Sequence, residues 1–295
     1  MRWRIAGARM GSKAFSFWDP NRFANTNPTL RAGRPAPAPG GVADYPGVAA
    51  TLVREITDRG GEIRSSSKVT SLQERGRWRI ETSSGEYEAD FIINCAGLHC
   101  DRISRLGGGR DPAKIVPFRG EYYDIRPERQ YLVRNLIYPV PDPKFPFLGV
   151  HFTRMIRGGI EADPNAVLAF AREGYRKSDV SVRDTLETLT YPGFWRFLLR
   201  YPSMCWHEFR RSWSKQLFCQ SLQRLVPEIR MEDLTPGASG VRAQALDPSG
   251  GLIQGFRFVS LPNALHVLNA PSPAVTASMA IADEVVNMVQ DAVAA

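Results

Sequence analysis

The sequence predicts an α/β domain interrupted by an α+β region that is built on an antiparallel sheet. Three stretches carry that expectation. Ala89 to Gly97 is a continuous apolar run ending in the small residues Cys95, Ala96 and Gly97, as a central parallel strand running into a ligand crevice does. Ile115 to Ile125 and Phe147 to Thr153 alternate instead, which is the period of an antiparallel sheet. Asn263 to Val289 holds a closing strand, Ala264 to Leu268, that breaks at Pro271-Ser272-Pro273 and becomes a helix, with Ser272 as N-cap and Pro273 at the first helical position. Between Arg257 and Asp283 there is no Lys, Arg, Asp or Glu, so the strand and the early helix are both expected to be buried. The helix start then points open N–H groups at an electron-rich ligand.

Size and composition set the frame. At 295 residues, 43% of them hydrophobic, the chain can bury a core in one large or two interlocked domains. Pro262, Pro271 and Pro273 interrupt the uncharged run, so it cannot span a membrane. The N-terminus lacks the basic, apolar, small-residue order of a signal peptide, and an intracellular, cytoplasmic protein is expected. The four cysteines show no CxxC pairing and the four histidines are scattered, so neither disulfides nor a metal site is expected. A net charge of +8 permits nucleic acid, an anionic membrane or acidic metabolites as partners. The basic residues lack the aromatic spacing of a nucleic-acid motif, so a solvated basic surface is expected and no nucleic-acid partner.

In chain order, residues 1–39 form a basic Pro- and Gly-rich segment that ends in the extended run Pro35-Ala36-Pro37-Ala38-Pro39. Gly7 to Gly11 follows a short strand-like run, but Arg9 and Ser12 stand where a GxGxxG turn needs glycines. Asp44 caps a helix in which Tyr45, Val48, Ala49, Leu52, Val53 and Ile56 recur at helical spacing, giving one core face before Gly60-Gly61 ends it. Short strands follow over Glu62 to Arg64, Lys68 to Leu72, Arg77 to Thr82 and Tyr87 to Asn94, with turns at Gly76 and Ser84-Gly85. Within Ile115 to Ile125, Arg119, Glu121 and Tyr123 share one face and Phe118, Gly120 and Tyr122 the other. In the next strand Gly149, His151 and Thr153 lie opposite Leu148, Val150 and Phe152, and Gly158-Gly159 allows a hairpin into Ile160 and Glu161. Residues 180–235 read as helical, with a stripe of Trp206, Phe209, Trp213, Leu217 and Leu225 flanked by Arg210, Arg211, Lys215 and Arg224. Such a stripe is a core face or, as a basic amphipathic helix, a membrane-resting surface. Strands return at Gly240 to Leu246 and Phe256 to Ser260. The division that results is 40–113 with 240–295 as one discontinuous domain, and 114–239 as the inserted one.

From about Gly40 onward the text resembles a known family. The matching runs include Asn94-Cys95-Ala96-Gly97-Leu98, Pro117-Phe118-Arg119-Gly120-Glu121-Tyr122-Tyr123 and Leu148-Gly149-Val150-His151-Phe152-Thr153. Pro164-Asn165-Ala166, Gly240-Val241-Arg242-Ala243-Gln244-Ala245 and Leu268-Asn269-Ala270-Pro271-Ser272-Pro273-Ala274 complete the set. Together they are similar to the flavin-dependent L-2-hydroxyglutarate oxidases and dehydrogenases, within the D-amino-acid oxidase and glycine oxidase superfamily. The resemblance implies a partial FAD-binding domain around an antiparallel-sheet substrate domain, and oxidation of a 2-hydroxy diacid to the 2-oxo acid. The electron acceptor would be oxygen or a quinone, with contact at the inner face of the cytoplasmic membrane as an option.

That chemistry needs a base for the hydroxyl proton and cations for the carboxylates. His151, on a polar strand face, is the expected base or hydroxyl partner, or else a hydrogen-bonded structural histidine. The resemblance gives Arg242, in a Gly-x-Arg strand, the role of carboxylate clamp. Arg119 either holds the second carboxylate or forms a structural salt bridge, and Tyr122, Asn165 and Gln244 would orient substrate. Flavin contacts are implied for the Val69 backbone, for Cys95, Ala96 and Gly97, and for Pro271, Ser272, Pro273, Ala274 and Thr276. Two positions depart from the family: Asp163, where Gly is usual, and Ala43, where a branched apolar residue is usual. The first forty or so residues do not resemble the family's GxGxxG unit, so this chain is expected to bind FAD weakly or not at all. The alternative is a non-catalytic remnant that binds a small acid or a protein partner.

Overall fold

A computed structural model of the chain describes residues 41–139, 149–163, 166–271 and 274–294. Helix α1 (Tyr45–Asp58) starts where the sequence places it, because the Asp44 side chain accepts from the Gly47 N–H and Pro46 occupies the first turn. Its expected core face is not one: no residue of α1 is buried, and Tyr45, Val48, Leu52, Val53 and Ile56 all face solvent. The cap and local propensity form the helix, and none of the described residues packs over its apolar stripe.

An antiparallel meander follows, β1 (Val69–Glu74), β2 (Trp78–Thr82) and β3 (Gly85–Ala89), turning at Gly76 with φ +79°. Glu62 to Arg64, expected as a strand, is irregular. The apolar run contracts to β4 (Ile92–Asn94), which runs parallel to the closing strand as predicted. Among the described residues it is an edge strand rather than a central one, and Ile93 is exposed. A 3₁₀ turn, Gly97–His99, leads into α2 (Cys100–Leu106).

The second sheet is organised by β5 (Lys114–Ile125), which pairs along its whole length with β9 (Leu234–Leu246). On its other edge lie β7 (Ile160–Asp163) and β8 (Val167–Leu168), and β7 carries β6 (His151–Arg154) outside it. The β6–β7 hairpin turns at Gly158 and Gly159, with φ of +87° and +94°, conformations open to glycine. Helices α3 (Val182–Leu189), α4 (Pro192–Arg200), α5 (Pro202–Trp213) and α6 (Lys215–Gln223) fill residues 180–225. The expected aromatic stripe does not run along one helix, because Ser214 leaves the helical conformation and caps α6 through the Leu217 N–H. Phe218 and Leu222 go into the core, whereas Trp206, Phe209 and Trp213 stay exposed. The core of the sheet is Phe152, Ile125, Ile160 and Leu234 against Phe218 and Leu222.

The chain closes with β10 (Arg257–Leu261), β11 (Ala264–Asn269) and α7 (Ser278–Ala294). Every residue of β11 is buried, as its uncharged sequence predicts. The helix differs. Ser272 and Pro273, its expected start, lie outside the described residues; residues 274–277 form a turn, and regular helix begins at Ser278. Early α7 is exposed, Met279 included, because the helix lays only one side, Ile281, Val285, Met288 and Val289, on Leu265 and Val267.

Phe152 is wholly buried and Phe256 is about half exposed. Replacing Phe152 by Ala is expected to cost about 4 kcal/mol in urea unfolding, and Phe256→Ala less than about 0.5 kcal/mol.

Candidate active site

Parallel pairing of β4 with β11 sets Asn94 beside His266, so both strands deliver their C-terminal ends to the same side. In a parallel sheet that side is where ligands bind. Cys95, Ala96 and Gly97 leave β4 there with solvent-exposed backbone, and Gly97 has φ +52° with open space where a Cβ would stand. Beside them opens a cavity of about 1150 Å³. Val69, Cys95 and Ala96 line one wall, and Arg102, Asp184 and Glu187 another. Of the sequence-predicted cofactor contacts, Val69, Cys95 and Ala96 line this cavity, whereas Gly97, Pro271, Ala274 and Thr276 are not among its lining residues. Pro271 and Ala274 lie past the end of β11, and the Thr276 hydroxyl meets the Tyr45 hydroxyl at 2.9 Å. Burial pushes the Cys95 thiol pKa up, which leaves it a neutral group.

The second group of predicted residues sits on the five-stranded sheet. Tyr123 pairs with Ala162 and Ala162 with Phe152, so these three share the face toward the core. By the two-residue period of a strand, Tyr122 and His151 share the opposite face. Phe118 pairs with Arg242, which places Arg242 on the Tyr122 face as well. The Tyr122 hydroxyl lies 3.8 Å from where a Cβ on Gly240 would stand, two residues before Arg242. His151 is buried, Nδ1 meets the Gly149 carbonyl at 2.9 Å, and the ring stacks on Tyr138 at 4.4 Å. A carbonyl only accepts, so Nδ1 carries the proton and Nε2 is the basic nitrogen.

Arg119 has a different environment. Its Nε and Nη2 both donate to Glu121 Oε1, at 3.2 and 3.0 Å, and Nη1 donates to the carbonyls of Gly174 and Arg176. That is the geometry of the structural salt bridge, the second of its two readings. Gln244 Nε2 donates to the carbonyls of Ala245 and Ile253. Asn165 lies outside the described residues, as does the side chain of Asp163, whose backbone pairs with His151.

A buried ionic network, unpredicted from the sequence, ties the cavity walls to the start of β5. Arg172 donates to both oxygens of Asp101, to Glu187 and, at 2.6 Å, to the Leu98 carbonyl at the end of the exposed turn. Asp101 also accepts from Arg105 and from the Ile115 N–H. Arg102 bridges Asp184 and Glu187 of α3 at 2.5 and 2.6 Å. Burial alone would raise the Asp101 pKa, but the hydrogen bonds and charge of Arg172 and Arg105 outweigh it and hold the carboxyl below its ordinary value. The traces the network left in the sequence are the pairs four apart on a helix, Asp101/Arg105 and Arg183/Glu187.

An α/β unit combined with an antiparallel sheet, with a cavity at the parallel strand ends, is the fold expected of flavin-type oxidoreductases. The family described as FAD dependent oxidoreductase matches residues 2–288, and the chain belongs to it. That match takes in the N-terminal segment left unassigned above. The chain is similar to "L-2-hydroxyglutarate dehydrogenase" of Indibacter alkaliphilus, 49% identical over 82% of this chain and 61% of that protein. It is also similar to the protein of the same name from Escherichia coli K12, 43% identical over 85% of this chain and 60% of that one. It therefore spans about three fifths of the length of these relatives. In structure it is similar to the dithionite-reduced L-alpha-glycerophosphate oxidase of Mycoplasma pneumoniae with FAD bound, at a TM-score of 0.60 and 16% identity, covering 82% of this chain and 55% of that one. At that identity the likeness shows the fold.

The depressed Asp101 pKa contributes stability that is complete above the ordinary value of 3.8 and is lost as pH falls through the folded value. Asp101→Asn, which leaves Arg172 buried with half its partner, is expected to cost about 3 kcal/mol at pH 7. The difference from wild type should shrink below about pH 4, as chemical unfolding across pH would measure.

Proposed function

We propose that the chain takes part in the FAD-dependent oxidation of L-2-hydroxyglutarate, or a closely related 2-hydroxy acid, to the 2-oxo acid. The observation that carries this reading is the 43–49% identity to L-2-hydroxyglutarate dehydrogenases over 82–85% of the chain, a span holding both the cavity and the sheet. The relatives' names are those of enzymes, which supports catalysis over the remnant alternative.

The cavity fits a flavin. It is roomy, its wall at Cys95 and Ala96 is small-residue backbone, and it lies at the ends of parallel strands. Val69, Cys95 and Ala96 would hold the cofactor within the cavity, and Gly97 with the segment after β11 (Pro271, Ala274, Thr276) would meet it beyond the cavity's lining. When bound, FAD supplies the acceptor for the hydride that leaves C2 of the substrate. His151 Nε2 takes the hydroxyl proton, in the tautomer fixed by the Gly149 carbonyl. Arg242 clamps the C1 carboxylate and the Tyr122 hydroxyl, on the same face, orients the substrate. Arg119, held by Glu121, stiffens the sheet beneath and is not assigned the second carboxylate.

One observation favours a quinone over oxygen as the final acceptor. Trp195, Trp206, Phe209 and Trp213 are each 50–69% exposed on α4 and α5, among Arg196, Arg200 and Arg210. Interfacial aromatics edged by cations suit an anionic membrane surface. No helix among the described residues is long and apolar enough to cross a membrane.

Chain equilibrated with FAD and gel-filtered should be yellow, and anaerobic L-2-hydroxyglutarate should bleach it. Arg242→Met should raise KM about a hundredfold and His151→Asn lower kcat about a hundredfold or more. A colourless chain, or turnover indifferent to both changes, would count against the reading. Cosedimentation with phosphatidylglycerol vesicles, weakened by Trp206→Ala with Trp213→Ala, tests the membrane surface.

A further inference from the structure

We infer that Asn94 and His266 are positioning residues, which together hold the Cys95-Ala96-Gly97 turn in the shape that its contact with flavin requires. This rests on the flavin reading of that turn given above. Asn94 ends β4 almost fully buried, and its amide touches both ends of the turn. Oδ1 accepts from the Ala96 N–H at 3.1 Å, and Nδ2 donates to the Cys100 carbonyl at 2.8 Å. The other Nδ2 hydrogen goes to His266 Nδ1 at 3.1 Å, across the parallel β4–β11 pair. An amide nitrogen only donates, so Nδ1 is the acceptor and the ring proton sits on Nε2.

His266 is 0% exposed, and its Nε2 has no hydrogen-bond partner among the described residues. The ring is closed over by Gly107, where a Cβ would stand 3.3 Å from Cε1. Burial lowers its pKa, which keeps it neutral and Nδ1 able to accept. A buried polar atom left unpartnered is costly, and phenylalanine would fill the same space without that cost. What phenylalanine cannot supply is the Nδ1 lone pair. The lone pair fixes which way the Asn94 amide points, and that orientation is what offers Oδ1 to Ala96 and Nδ2 to Cys100. His266 therefore acts on the cavity wall through Asn94, without touching the cavity itself.

His266→Leu and His266→Asn separate this from a packing role, because the two side chains have nearly the same size and the asparagine oxygen falls close to where Nδ1 stood. The full chain is used, with folding checked by circular dichroism. In His266→Leu the Ala96 amide should exchange with solvent about tenfold faster than in wild type and FAD should bind about tenfold more weakly, with His266→Asn within about threefold of wild type in both. If the histidine only packs the core, leucine will do as well as asparagine or better, and that order overturns the inference. Should His266→Leu fail to fold, His266→Phe is compared with His266→Asn in the same way. A wild-type chain that takes up no FAD sinks the flavin reading alone, and the order of Ala96 exchange rates then decides for or against this one.

Discussion

The buried pair of Asp101 and Arg172 is the contact on which the arrangement depends. Asp101 belongs to α2, directly after the exposed turn, and Arg172 to the segment that joins the sheet to α3. Through them α2, the start of β5, the Leu98 carbonyl and α3 share one set of hydrogen bonds. Desolvating these charges is tolerable only because both Asp101 oxygens and both terminal nitrogens of Arg172 find partners. The consequence is geometric. The cavity wall made by α3 and the wall made by β1 and β4 are fixed relative to each other, so the opening between them has a defined width.

The chemistry divides along the same line. Backbone and small side chains at the ends of parallel strands suit the face of a large planar ring system. The antiparallel sheet supplies the opposite: a tautomer-fixed histidine, a hydroxyl and a guanidinium on one face, which suit a small polar acid. His151 sits on an outer strand and Arg242 on the far side of β5, so the ladder of β5 with β9 sets their separation. Arg119, in the middle of that ladder, spends its donors on Glu121 and on loop carbonyls.

Much of this fold could be read from the chain because the signals were local. Asp44 and Pro46 mark a helix start by their own hydrogen-bonding and φ preferences, and the hairpin at Gly158 and Gly159 follows from backbone freedom. Alternation along β5 and β6 separates Tyr123 from Tyr122 and Phe152 from His151, and Tyr123 and Phe152 are the ones found at the core. What was not legible depends on distant partners. Nothing near Trp206, Phe209 or Trp213 says whether a neighbour covers them, and α1 shows an apolar face with no described residue against it. The start of α7 was misplaced because a Ser-Pro pair permits a helix without requiring one. The ionic network and the pair of Asn94 and His266 were invisible for the same reason: the members of the first are scattered from Leu98 to Glu187, those of the second are 172 residues apart, and both meet only after folding.

Helix α1 has a further consequence. Among the described residues none buries its apolar side chains, and its polar ties to them are a hydroxyl contact from Tyr45 to Thr276 and, from its cap, a long ion pair of Asp44 with Arg157. An element so thinly anchored melts on its own, well before the sheet, and its peptide bonds are the natural first cuts for a protease. Limited digestion would therefore shear off the N-terminal part of the chain while leaving a core, from the meander onward, that still unfolds as one unit.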